Sequence, residues 1–354
     1  AEDGIRDQPR SRGSEMCIRD RGYIGSHVTT LLLDKDFEVL CLDNLENSSE
    51  SVLDGINKIT GKSPIFENID IRDKSSLRIL LDEHVDIKGV IHFAAYKAVE
   101  ESHKIPLDYY QNNIVGLLNL LELISFKRIP LIFSSSCTVY GQAKKLPINE
   151  SAPYQPSTSP YGYTKQVGEQ IIKHTCKAYP NFSAISLRYF NPIGAHPTSK
   201  IGENPRGVPQ NLVPFLTQTV MGKHSVLKVF GSNYNTRDGT CIRDYIHVMD
   251  LAQAHIDSLD FLISNEKSIY ETFNVGTGYG VSVLELIKIF EKVTGEEVPF
   301  EYDEPRTGDT VAAFADVEKI EKKIGWKSKY SLEEALKNAW EWEKISNLLF
   351  LILH

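Results

Sequence analysis

Two tyrosine–lysine pairs in this sequence have the four-residue spacing that places both side chains on one face of a helix. Tyr161 and Lys165 follow Ser157-Thr-Ser-Pro160 and open a segment with apolar residues at helical spacing. Tyr140 and Lys144 instead follow a strand end, in a glycine-containing loop where this spacing has no geometric meaning. A lysine ammonium beside a phenol lowers its pKa from about 10, so the tyrosine can serve as a base near neutral pH. Tyr161 and Lys165 are therefore the candidate catalytic pair.

A run of serines supplies further hydroxyl groups to this candidate site. Ser134-Ser-Ser136 closes a predicted strand and ends 25 residues before Tyr161. A hydroxyl at such a strand end is placed to bridge an oxygen of the substrate and the tyrosine. Together with a hydride-accepting cofactor, these groups suit proton abstraction from a hydroxyl while hydride leaves the same carbon.

The segment from Gly22 to Asp43 has the order of a dinucleotide-binding unit. Such a unit needs a strand, a glycine-rich turn and a helix whose N-terminus faces the pyrophosphate, followed about 20 residues later by an acid for the ribose hydroxyls. Gly22-Tyr-Ile-Gly25 provides the second half of the turn, and Asp43 follows Gly22 by 21 residues. An acid repels a 2′-phosphate and Asn44 rather than an arginine comes next, so the segment predicts NAD rather than NADP.

The residues before Gly22 depart from this pattern. Arg19 stands where the first glycine is expected, and Cys17-Ile-Arg-Asp-Arg21 stands where an aliphatic run is expected. An arginine does not readily take the tight turn, and its side chain would occupy the path of the phosphates. A second glycine-rich stretch, Val275-Gly-Thr-Gly-Tyr-Gly280, has no acid at the end of a following strand, so we interpret it as a turn in a second lobe.

The elements that must position these residues alternate between strands and helices. The predicted strands cover 37–43, 64–70, 89–95, 130–135, 182–190 and 271–275. The predicted helices cover 22–33, 75–84, 107–126, 161–179, 282–294 and 332–342. This alternation predicts an α/β fold, a Rossmann-like doubly wound parallel sheet with a second, smaller α/β lobe for the substrate.

The chain divides into four predicted segments. Residues 1–21 are charged and poor in apolar residues, which indicates a disordered segment that we interpret as non-native. Residues 22–191 form the predicted NAD-binding domain, and the glycine- and proline-rich stretch after 191 opens the predicted substrate-binding domain, 192–345. Residues 346–354 are apolar but short, and we predict a frayed or foreign tail.

Composition excludes several classes of function. The net charge of −8 argues against binding to nucleic acid, because nothing offsets phosphate repulsion. Five scattered cysteines indicate reduced thiols in a cytoplasmic protein, and the histidine spacing predicts no metal site. No segment reaches the roughly 18 apolar residues of a membrane helix, and no signal-peptide core is present, so no membrane association is expected.

Six stretches together resemble the UDP-glucose 4-epimerases of the extended short-chain dehydrogenase/reductase superfamily. The stretches are Gly22-Tyr-Ile-Gly-Ser-His27, Asp43-Asn-Leu-Glu-Asn-Ser48, His92-Phe-Ala-Ala-Tyr-Lys-Ala98, Ser134-Ser-Ser-Cys-Thr-Val-Tyr-Gly141, Leu187-Arg-Tyr-Phe-Asn-Pro192 and Arg243-Asp-Tyr-Ile-His-Val-Met-Asp250. The resemblance implies that bound NAD takes hydride from C4 of UDP-glucose or UDP-galactose and returns it to the opposite face. It implies Tyr161 as the base, Ser136 as a hydrogen-bond partner of the 4-oxygen, and Lys165 as the residue that holds the NAD ribose and tunes Tyr161.

The resemblance also implies the binding residues and the assembly. NAD contacts carry over to Gly22, Tyr23, Ile24, Gly25, Asp43, Asn44, Asn47, Ser48, Asp70, Ile71, Phe93, Ala94, Lys97, Asn113, Lys165 and Phe190. UDP-sugar contacts carry over to Ser136, Asn191, Asn211, Leu212, Phe230, Arg243, Arg306 and Asp309. The apolar stripes of the helices at 107–126 and 161–179 would pair two subunits into a homodimer.

Each of these assignments has an alternative. Arg243 would otherwise form a surface salt bridge with Asp244 or Asp250, and Arg306 would be a solvated loop charge. Asn191 and Asn211 would otherwise cap local turns, and Phe230 would be a core residue.

Two positions near the expected sugar site differ from many family members. Cys137 stands where alanine is frequent, and we expect little effect because both residues are small. Ala313 stands where some members have a bulky tyrosine, so we expect room for an N-acetyl group and activity on UDP-GlcNAc and UDP-GalNAc.

Two rival functions remain open at this stage. A dehydratase or decarboxylase of the same fold is the nearest, but a dehydratase places an acid pair where this sequence has Cys137-Thr138. The second rival is a catalytically silent NAD-binding protein.

Overall fold

The structure, a computed structural model, describes residues 12–18, 22–45, 51–205, 207–265, 267–306 and 309–353. The side chains of 12–18, 51 and 349–353 lie outside this description. The predicted cofactor residues Asn47 and Ser48 also lie outside the described residues.

Strands and helices alternate along the first two thirds of the chain, as the sequence predicts. The strands are β1 (Arg12–Ile18), β2 (Phe37–Leu42), β3 (Ile65–Glu67), β4 (Gly89–His92), β5 (Leu131–Ser134), β6 (Ala184–Tyr189), β7 (Asn191–Ile193), β8 (Leu227–Phe230), β9 (Ile242–Arg243), β10 (Tyr245–His247), β11 (Tyr270–Val275), β12 (Val281–Ser282), β13 (Phe300–Asp303) and β14 (Ala312–Ala313). The helices are α1 (Tyr23–Asp34), α2 (Ser51–Thr60), α3 (Lys74–Glu83), α4 (Val99–Lys104), α5 (Pro106–Tyr110), α6 (Gly116–Lys127), α7 (Pro160–Ala178), α8 (Leu212–Val220), α9 (Val248–Ser264), α10 (Val283–Thr294), α11 (Glu318–Ile324) and α12 (Leu332–Leu353).

Seven strands form one parallel sheet in the order β11-β6-β5-β4-β1-β2-β3. From β1, the sheet continues through β2 and β3 on one side. On the other side it continues through β4, β5, β6 and β11. The crevice at the carboxyl ends of β1 and β4 is therefore the topological switch point, where open α/β sheets bind their ligands. This arrangement confirms the predicted Rossmann-like fold.

Successive residues of each strand enter two different cores, one on each face of the sheet. Val39 and Cys41 of β2 pack with residues of α1 and α9, whereas Leu40 and Leu42 pack with residues of α3 and α6. All four residues of β4 and of β5 are buried. Burial on both faces explains why these strands are continuous apolar runs in the sequence rather than alternating ones.

The expectation of disorder for residues 1–21 is wrong for residues 12–18. These residues form β1, which lies at the centre of the sheet and pairs in parallel with β2 and β4. Backbone hydrogen bonds between strands do not depend on side-chain type, and without β1 the facing edges of β2 and β4 would lack partners inside the sheet. Residues 1–11 and 19–21 lie outside the described residues. That this segment is non-native stays a prediction.

The predicted boundary at residue 191 does not divide the two lobes cleanly. β11 pairs in register with β6 and so belongs to the large sheet, although the sequence placed it in the second lobe. α9 returns to the same sheet and packs beside α1, with Leu251 and Leu259 in the shared core. The first lobe is therefore discontinuous, because β6 offers an open edge that a strand from later in the chain completes. The glycine-rich turn after Val275 accordingly leaves the large sheet rather than lying wholly within the second lobe.

The second lobe has its own core and several small sheets. β8 pairs with β13, β7 with β10, and β9 with β12 and β14. Helices α8, α10 and α12 enclose a core that includes Leu216, Val229, Phe290, Leu336 and Trp340. This packing places the β9 and β14 pair beside the end of the large sheet.

Two predicted helices differ from those observed. The helix predicted at 107–126 is α5 and α6 joined by one π-helical turn, Gln111–Val115. A frayed end at 346–354 is wrong for 346–353, because α12 continues through Leu353, and the alternative of a foreign tail stays a prediction. No glycine or proline follows Trp342 to end that helix. None of the helices in the described part of the chain is long and apolar enough to cross a bilayer.

Candidate active site

The candidate catalytic pair lies at the start of α7, as the sequence predicts. Ser159 caps this helix by accepting a hydrogen bond from the backbone N–H of Gly162 at 3.1 Å, and Pro160 occupies its first position. A Cβ at position 162 would lie 2.6 Å from Ser157 Oγ, so a larger residue there would displace that hydroxyl. The cap fixes where the helix begins and therefore places Tyr161 in its first turn.

Tyr161 is buried, and burial raises the pKa of its hydroxyl above its ordinary value. A hydrogen bond with the Ser136 side chain acts in the opposite direction and lowers this pKa. The sequence predicted a pKa lowered by Lys165 and the nicotinamide. Among the described residues the effect of burial is larger, because desolvation penalises the phenolate.

Lys165 lies one turn further along the same face of α7. Its Nζ donates a 2.7 Å hydrogen bond to the carbonyl oxygen of Ser134 and lies 6.0 Å from the centroid of the Tyr161 ring. Nζ is also 4.9 Å from the centroid of the Phe133 ring. The ammonium group is therefore held at the carboxyl end of β5, near the Tyr161 phenol.

Ser136 follows the end of β5 in extended backbone and begins the 3₁₀ turn Cys137–Tyr140. Its Oγ accepts a hydrogen bond from the N–H of Thr138 at 3.2 Å. The turn carries the second tyrosine of the two pairs, but Tyr140 OH is buried and donates to Asn274 Oδ1 at 2.6 Å. Lys144 is exposed. The structure thus agrees that Tyr161 and Lys165, not Tyr140 and Lys144, form a pair.

The cofactor crevice is lined by the end of β2 and the start of α1. Gly22 precedes α1 in extended backbone, and the first turn of α1 has no acidic residue to repel a pyrophosphate. Asp43 is buried, and its Oδ1 accepts the N–H of Leu45 at 2.8 Å. Its Oδ2 is buried and has no hydrogen-bond partner among the described residues. A buried carboxylate oxygen without a partner can accept a hydrogen bond from a ribose hydroxyl. NAD requires such an acceptor at this position.

Other predicted cofactor residues lie around the same crevice. Asn44 Nδ2 donates to Asp70 Oδ2 at 3.1 Å, and Arg72 binds the same carboxylate through its Nε and Nη2. These contacts outweigh the opposing effect of partial burial and hold the pKa of Asp70 at about 2, so it stays ionised. Ile71 is buried against Gly116, whose added Cβ would lie 2.4 Å from the isoleucine Cδ1.

Asn113 joins the loop after β4 to α7. It lies in the π-helical turn and its Oδ1 accepts from the N–H of Tyr96 at 2.8 Å, while its Nδ2 donates to Thr164 Oγ1 at 3.0 Å. Phe93 packs against the ring of His255 at 4.8 Å between centroids. π-helical turns often occur at functional sites, where they turn one side chain inward.

Tyr23 and Lys97 connect the cofactor side to the second lobe. Tyr23 OH donates to the carbonyl oxygen of Gly194 at 2.6 Å. Lys97 Nζ lies 3.3 Å from Glu203 Oε1, and the same oxygen accepts a 2.7 Å hydrogen bond from Asn211 Nδ2. A predicted cofactor residue and a predicted substrate residue therefore share one carboxylate oxygen. Sequence reasoning missed Glu203, because its glycine- and proline-rich surroundings carry no motif.

Four predicted substrate residues gather at the edge of the second lobe. The Arg306 guanidinium stacks 4.4 Å above the centroid of the Phe230 ring, and its Nε lies 3.4 Å from Asp309 Oδ2. Arg243 Nη1 donates to the carbonyl oxygen of Thr310 at 2.6 Å, and its Nη2 lies 3.8 Å from Asp309 Oδ1. Two cations, one acid and an aromatic ring thus form one cluster.

The alternative partners proposed for Arg243 bind elsewhere. Asp244 is buried and accepts hydrogen bonds from the N–H groups of Thr277, Gly278 and Ala315. Asp250 accepts the N–H groups of Lys329 and Tyr330. Asp244 therefore fastens the glycine-rich turn, a role that its place in the Arg243–Asp250 motif did not reveal.

Asn191 and Asn211 occupy different settings. Asn191 lies in β7, opposite Tyr245 of β10. Asn211 precedes Leu212 at the start of α8, but its side chain makes no cap hydrogen bond to that helix. The turn-capping alternative therefore does not account for Asn211.

Cys137 and Thr138 occupy the place of a dehydratase acid pair. Burial raises the pKa of Cys137 to about 12, so its thiol stays protonated near neutral pH. Threonine does not ionise in this range. Thr138 Oγ1 is buried without a partner in the described part of the chain, a feature that sequence reasoning missed. No group of three His, Cys, Asp or Glu side chains among the described residues is arranged to hold a metal ion.

Comparisons with known proteins agree with this geometry. Residues 21–339 match the family model described as GDP-mannose 4,6 dehydratase. The UDP-glucose 4-epimerase of Yersinia enterocolitica is 46% identical over 92% of this chain and 96% of its own length. The UDP-glucose 4-epimerase of Bacillus subtilis is 45% identical over 91% of this chain and 94% of its own length.

Solved structures give the same result. The UDP-glucose 4-epimerase of Stenotrophomonas maltophila, solved with bound NAD and formylated UDP-arabinopyranose, superposes with a TM-score of 0.92 at 41% identity and covers 96% of this chain and 100% of its own. That of Bifidobacterium longum, in complex with NAD+ and UDP, gives a TM-score of 0.90 at 39% identity, covering 94% of this chain and 99% of its own. The dehydratase family model matches as a relative within the wider superfamily, and the chain belongs to the UDP-glucose 4-epimerase family of the extended short-chain dehydrogenases/reductases.

Proposed function

We propose that this chain interconverts UDP-glucose and UDP-galactose by inverting configuration at C4. The observation that carries the proposal is the position of Lys165, whose Nζ is held by the carbonyl oxygen of Ser134 at the end of β5 and lies 6.0 Å from the centroid of the buried Tyr161 ring. The same sheet places Asp43, whose Oδ2 has no partner among the described residues, at the end of β2, the strand next to β1. NAD, when bound in this crevice, supplies the acceptor and donor of hydride at C4.

The protein's own groups handle the proton and the 4-oxygen. Tyr161 takes the proton of the 4-hydroxyl at its phenolic oxygen. It returns this proton after the keto sugar has rotated to present its opposite face. Ser136 holds the 4-oxygen by a hydrogen bond and also lowers the pKa of Tyr161 against the effect of burial. Lys165 contributes a positive charge near the Tyr161 ring, which favours the phenolate.

The remaining site residues divide between the two ligands. Asp43, Asn44 and Asp70 bind the adenosine end of NAD, while Tyr23, Ile24 and the N–H groups of α1 bind its pyrophosphate. Arg243 and Arg306 bind the diphosphate of the UDP-sugar, since a guanidinium pairs with two oxygens at once. The stacked Phe230 ring supports the uracil, and Asp309 orients both arginines.

Acceptance of N-acetylated sugars belongs to the same proposal. Ala313 of β14 lies opposite Arg243 of β9 and packs in the cluster that contains Val139 and Phe190. A methyl side chain here leaves space beside the proposed sugar site that a tyrosine would fill. We therefore expect turnover of UDP-GlcNAc and UDP-GalNAc; no turnover of this pair by an enzyme active on UDP-galactose would refute the expectation.

The assembly and compartment are also proposed. Leu107 and Leu118 are 74% and 46% exposed, and Phe126 and Tyr163 are 69% and 48% exposed, on helices α5, α6 and α7. Apolar side chains grouped on neighbouring helices favour a second copy of the chain as partner, giving a homodimer. The cysteines whose side chains are described are free thiols, which supports a reducing, cytoplasmic setting.

The decisive experiment measures retained NAD and UDP-galactose turnover in the purified protein and two variants. Tyr161→Phe removes the base, and kcat should fall by about 100-fold to 10,000-fold with little change in UDP binding. Tyr279→Phe is the control because it removes a phenol that is 77% exposed and assigned neither to a ligand nor to the dimer surface, and its activity should equal that of the parent. An undiminished Tyr161→Phe variant would refute the mechanism. NAD retention without turnover by the parent would favour a catalytically silent NAD-binding protein.

A further inference from the structure

A buried ion pair lies behind the serine turn that follows β5. Glu169 of α7 is fully buried and the Arg188 side chain is 5% exposed. Arg188 Nη2 donates to Glu169 Oε2 at 2.6 Å, and Nε donates to Oε1 and Oε2 at 2.9 and 3.1 Å. Such bidentate, charge-assisted contacts fix orientation as well as distance.

Glu169 continues a series along one face of α7. Tyr161, Lys165 and Glu169 follow one another at four-residue intervals, so their side chains lie on the same face of the helix. Two of the three residues bind successive serines: Lys165 Nζ donates to the carbonyl oxygen of Ser134, and Ser135 Oγ donates to Glu169 Oε1 at 2.5 Å. Ser136 is the next residue, and its side chain lowers the pKa of Tyr161.

The other end of the turn is tied to the same ion pair. Arg188 Nη1 donates to Tyr140 OH at 3.0 Å, and Tyr140 ends the 3₁₀ turn that Ser136 begins. Tyr140 OH in turn donates to Asn274 Oδ1 of β11. The turn from Ser135 to Tyr140 is thus held at both ends by Glu169, directly at Ser135 and through Arg188 at Tyr140.

We propose that Glu169 is a positioning residue, which acts through Ser135 to set the position of the Ser136 hydroxyl relative to Tyr161. The inference rests on the proposed function for its kinetic consequence, but the positioning itself is a property of the chain. A misplacement of about 1 Å at reacting groups lowers rates by about 100-fold, so a support of this kind affects kcat without touching the substrate.

The test removes, one at a time, the hydroxyl groups that donate hydrogen bonds to the Glu169 carboxylate. Glu169→Gln would leave Arg188 buried without a counter-charge, and loss of folding would then obscure the result. Ser135→Ala removes only the bond to Oε1, and the ion pair stays intact. Tyr154→Phe is the stringent control, because Tyr154 OH donates to Glu169 Oε2 at 2.6 Å and accepts from Arg188 Nη2 at 3.1 Å, so this variant loses two contacts of the ion pair but none with the turn.

Hydrogen–deuterium exchange gives a readout independent of activity. The amides of Thr138, Val139 and Gly141 donate within the turn, to Ser136 Oγ, Ser136 O and Thr138 O. In Ser135→Ala these amides should exchange faster than in the parent, whereas Tyr154→Phe should leave them unchanged. Equal exchange in all three proteins, or equal acceleration in both variants, would overturn the proposal.

Kinetics give the second readout. Ser135→Ala should lower kcat for UDP-galactose about tenfold with KM within about twofold, as loss of one charge-assisted hydrogen bond predicts. Ser136→Ala combined with Ser135→Ala should be no slower than Ser136→Ala alone, since both substitutions act through the Ser136 hydroxyl. An unchanged kcat in Ser135→Ala, or additive losses, would refute the catalytic role of the support. A parent that turns over no UDP-sugar would refute the proposed function instead, and the exchange result would still decide the positioning.

Discussion

Three buried histidines predict that the protein loses stability steeply in mild acid. His27, His247 and His255 are at most 1% exposed. Burial lowers their pKa values from 6.5 to about 3, about 4 and about 4. His247 Nδ1 accepts the N–H of Met249 at 3.0 Å, which requires an unprotonated nitrogen. The carbonyl oxygen of Leu251, 2.8 Å from His255 Nδ1, raises the pKa of that ring, but the effect of burial is larger.

The sign follows from proton binding. Because each folded pKa lies below the unfolded value, the unfolded chain binds more protons at any pH between them. Stability is therefore complete above pH 6.5 and falls as the pH drops toward 4. Each histidine lowers the free energy of unfolding by about 1.4 kcal/mol per pH unit in this interval, so that about 2 kcal/mol each, or about 6 kcal/mol together, is lost at pH 5. That loss is a large share of the roughly 5–15 kcal/mol by which folded proteins are stable.

Urea unfolding at several pH values between 5 and 7, with NAD held at one saturating concentration, measures this loss. In His255→Gln the slope of unfolding free energy against pH should be smaller by about 1.4 kcal/mol per pH unit, since one titrating group is removed. His174→Gln is the control, because His174 is exposed on α7 and an exposed ring keeps its hydration on folding. A parent whose stability is flat from pH 7 to 5, or a His255→Gln slope equal to that of the parent, would show that burial does not keep these rings neutral.

Three further outcomes are expected. Glu169→Gln should lower the free energy of unfolding by about 3–5 kcal/mol in urea titrations, because it leaves Arg188 buried and unpaired; a loss below about 1 kcal/mol would contradict this. Gly239→Ala should cost roughly 1–3 kcal/mol by the same assay, since Gly239 has a φ of 82° and an added Cβ would lie 2.2 Å from the carbonyl oxygen of Ser232. Arg19→Gly should tighten NAD binding about tenfold in calorimetry, because glycine suits the tight turn and lets the pyrophosphate approach; unchanged affinity would count against the expected phosphate turn.

Local sequence determined most of the first lobe and the catalytic helix. The apolar runs of β4 and β5 predicted buried parallel strands, because residues covered on both faces leave no polar positions. Ser159 and Pro160 predicted where α7 begins, since helix caps are local interactions. Four-residue spacing then placed Lys165 on the face of Tyr161.

Contacts between distant segments decided the rest. β1 forms from residues whose composition predicted disorder, because the gap between β2 and β4 supplies its hydrogen bonds. β11 follows much of the second lobe in the sequence, yet it joins the large sheet because the open edge of β6 supplies its hydrogen bonds. The raised pKa of Tyr161 depends on how deeply α7 is buried, which no spacing reveals. No sequence pattern distinguishes Glu169 from the other acidic residues. Only the packing of α7 against β5 and β6 brings Ser135 and Arg188 to its carboxylate.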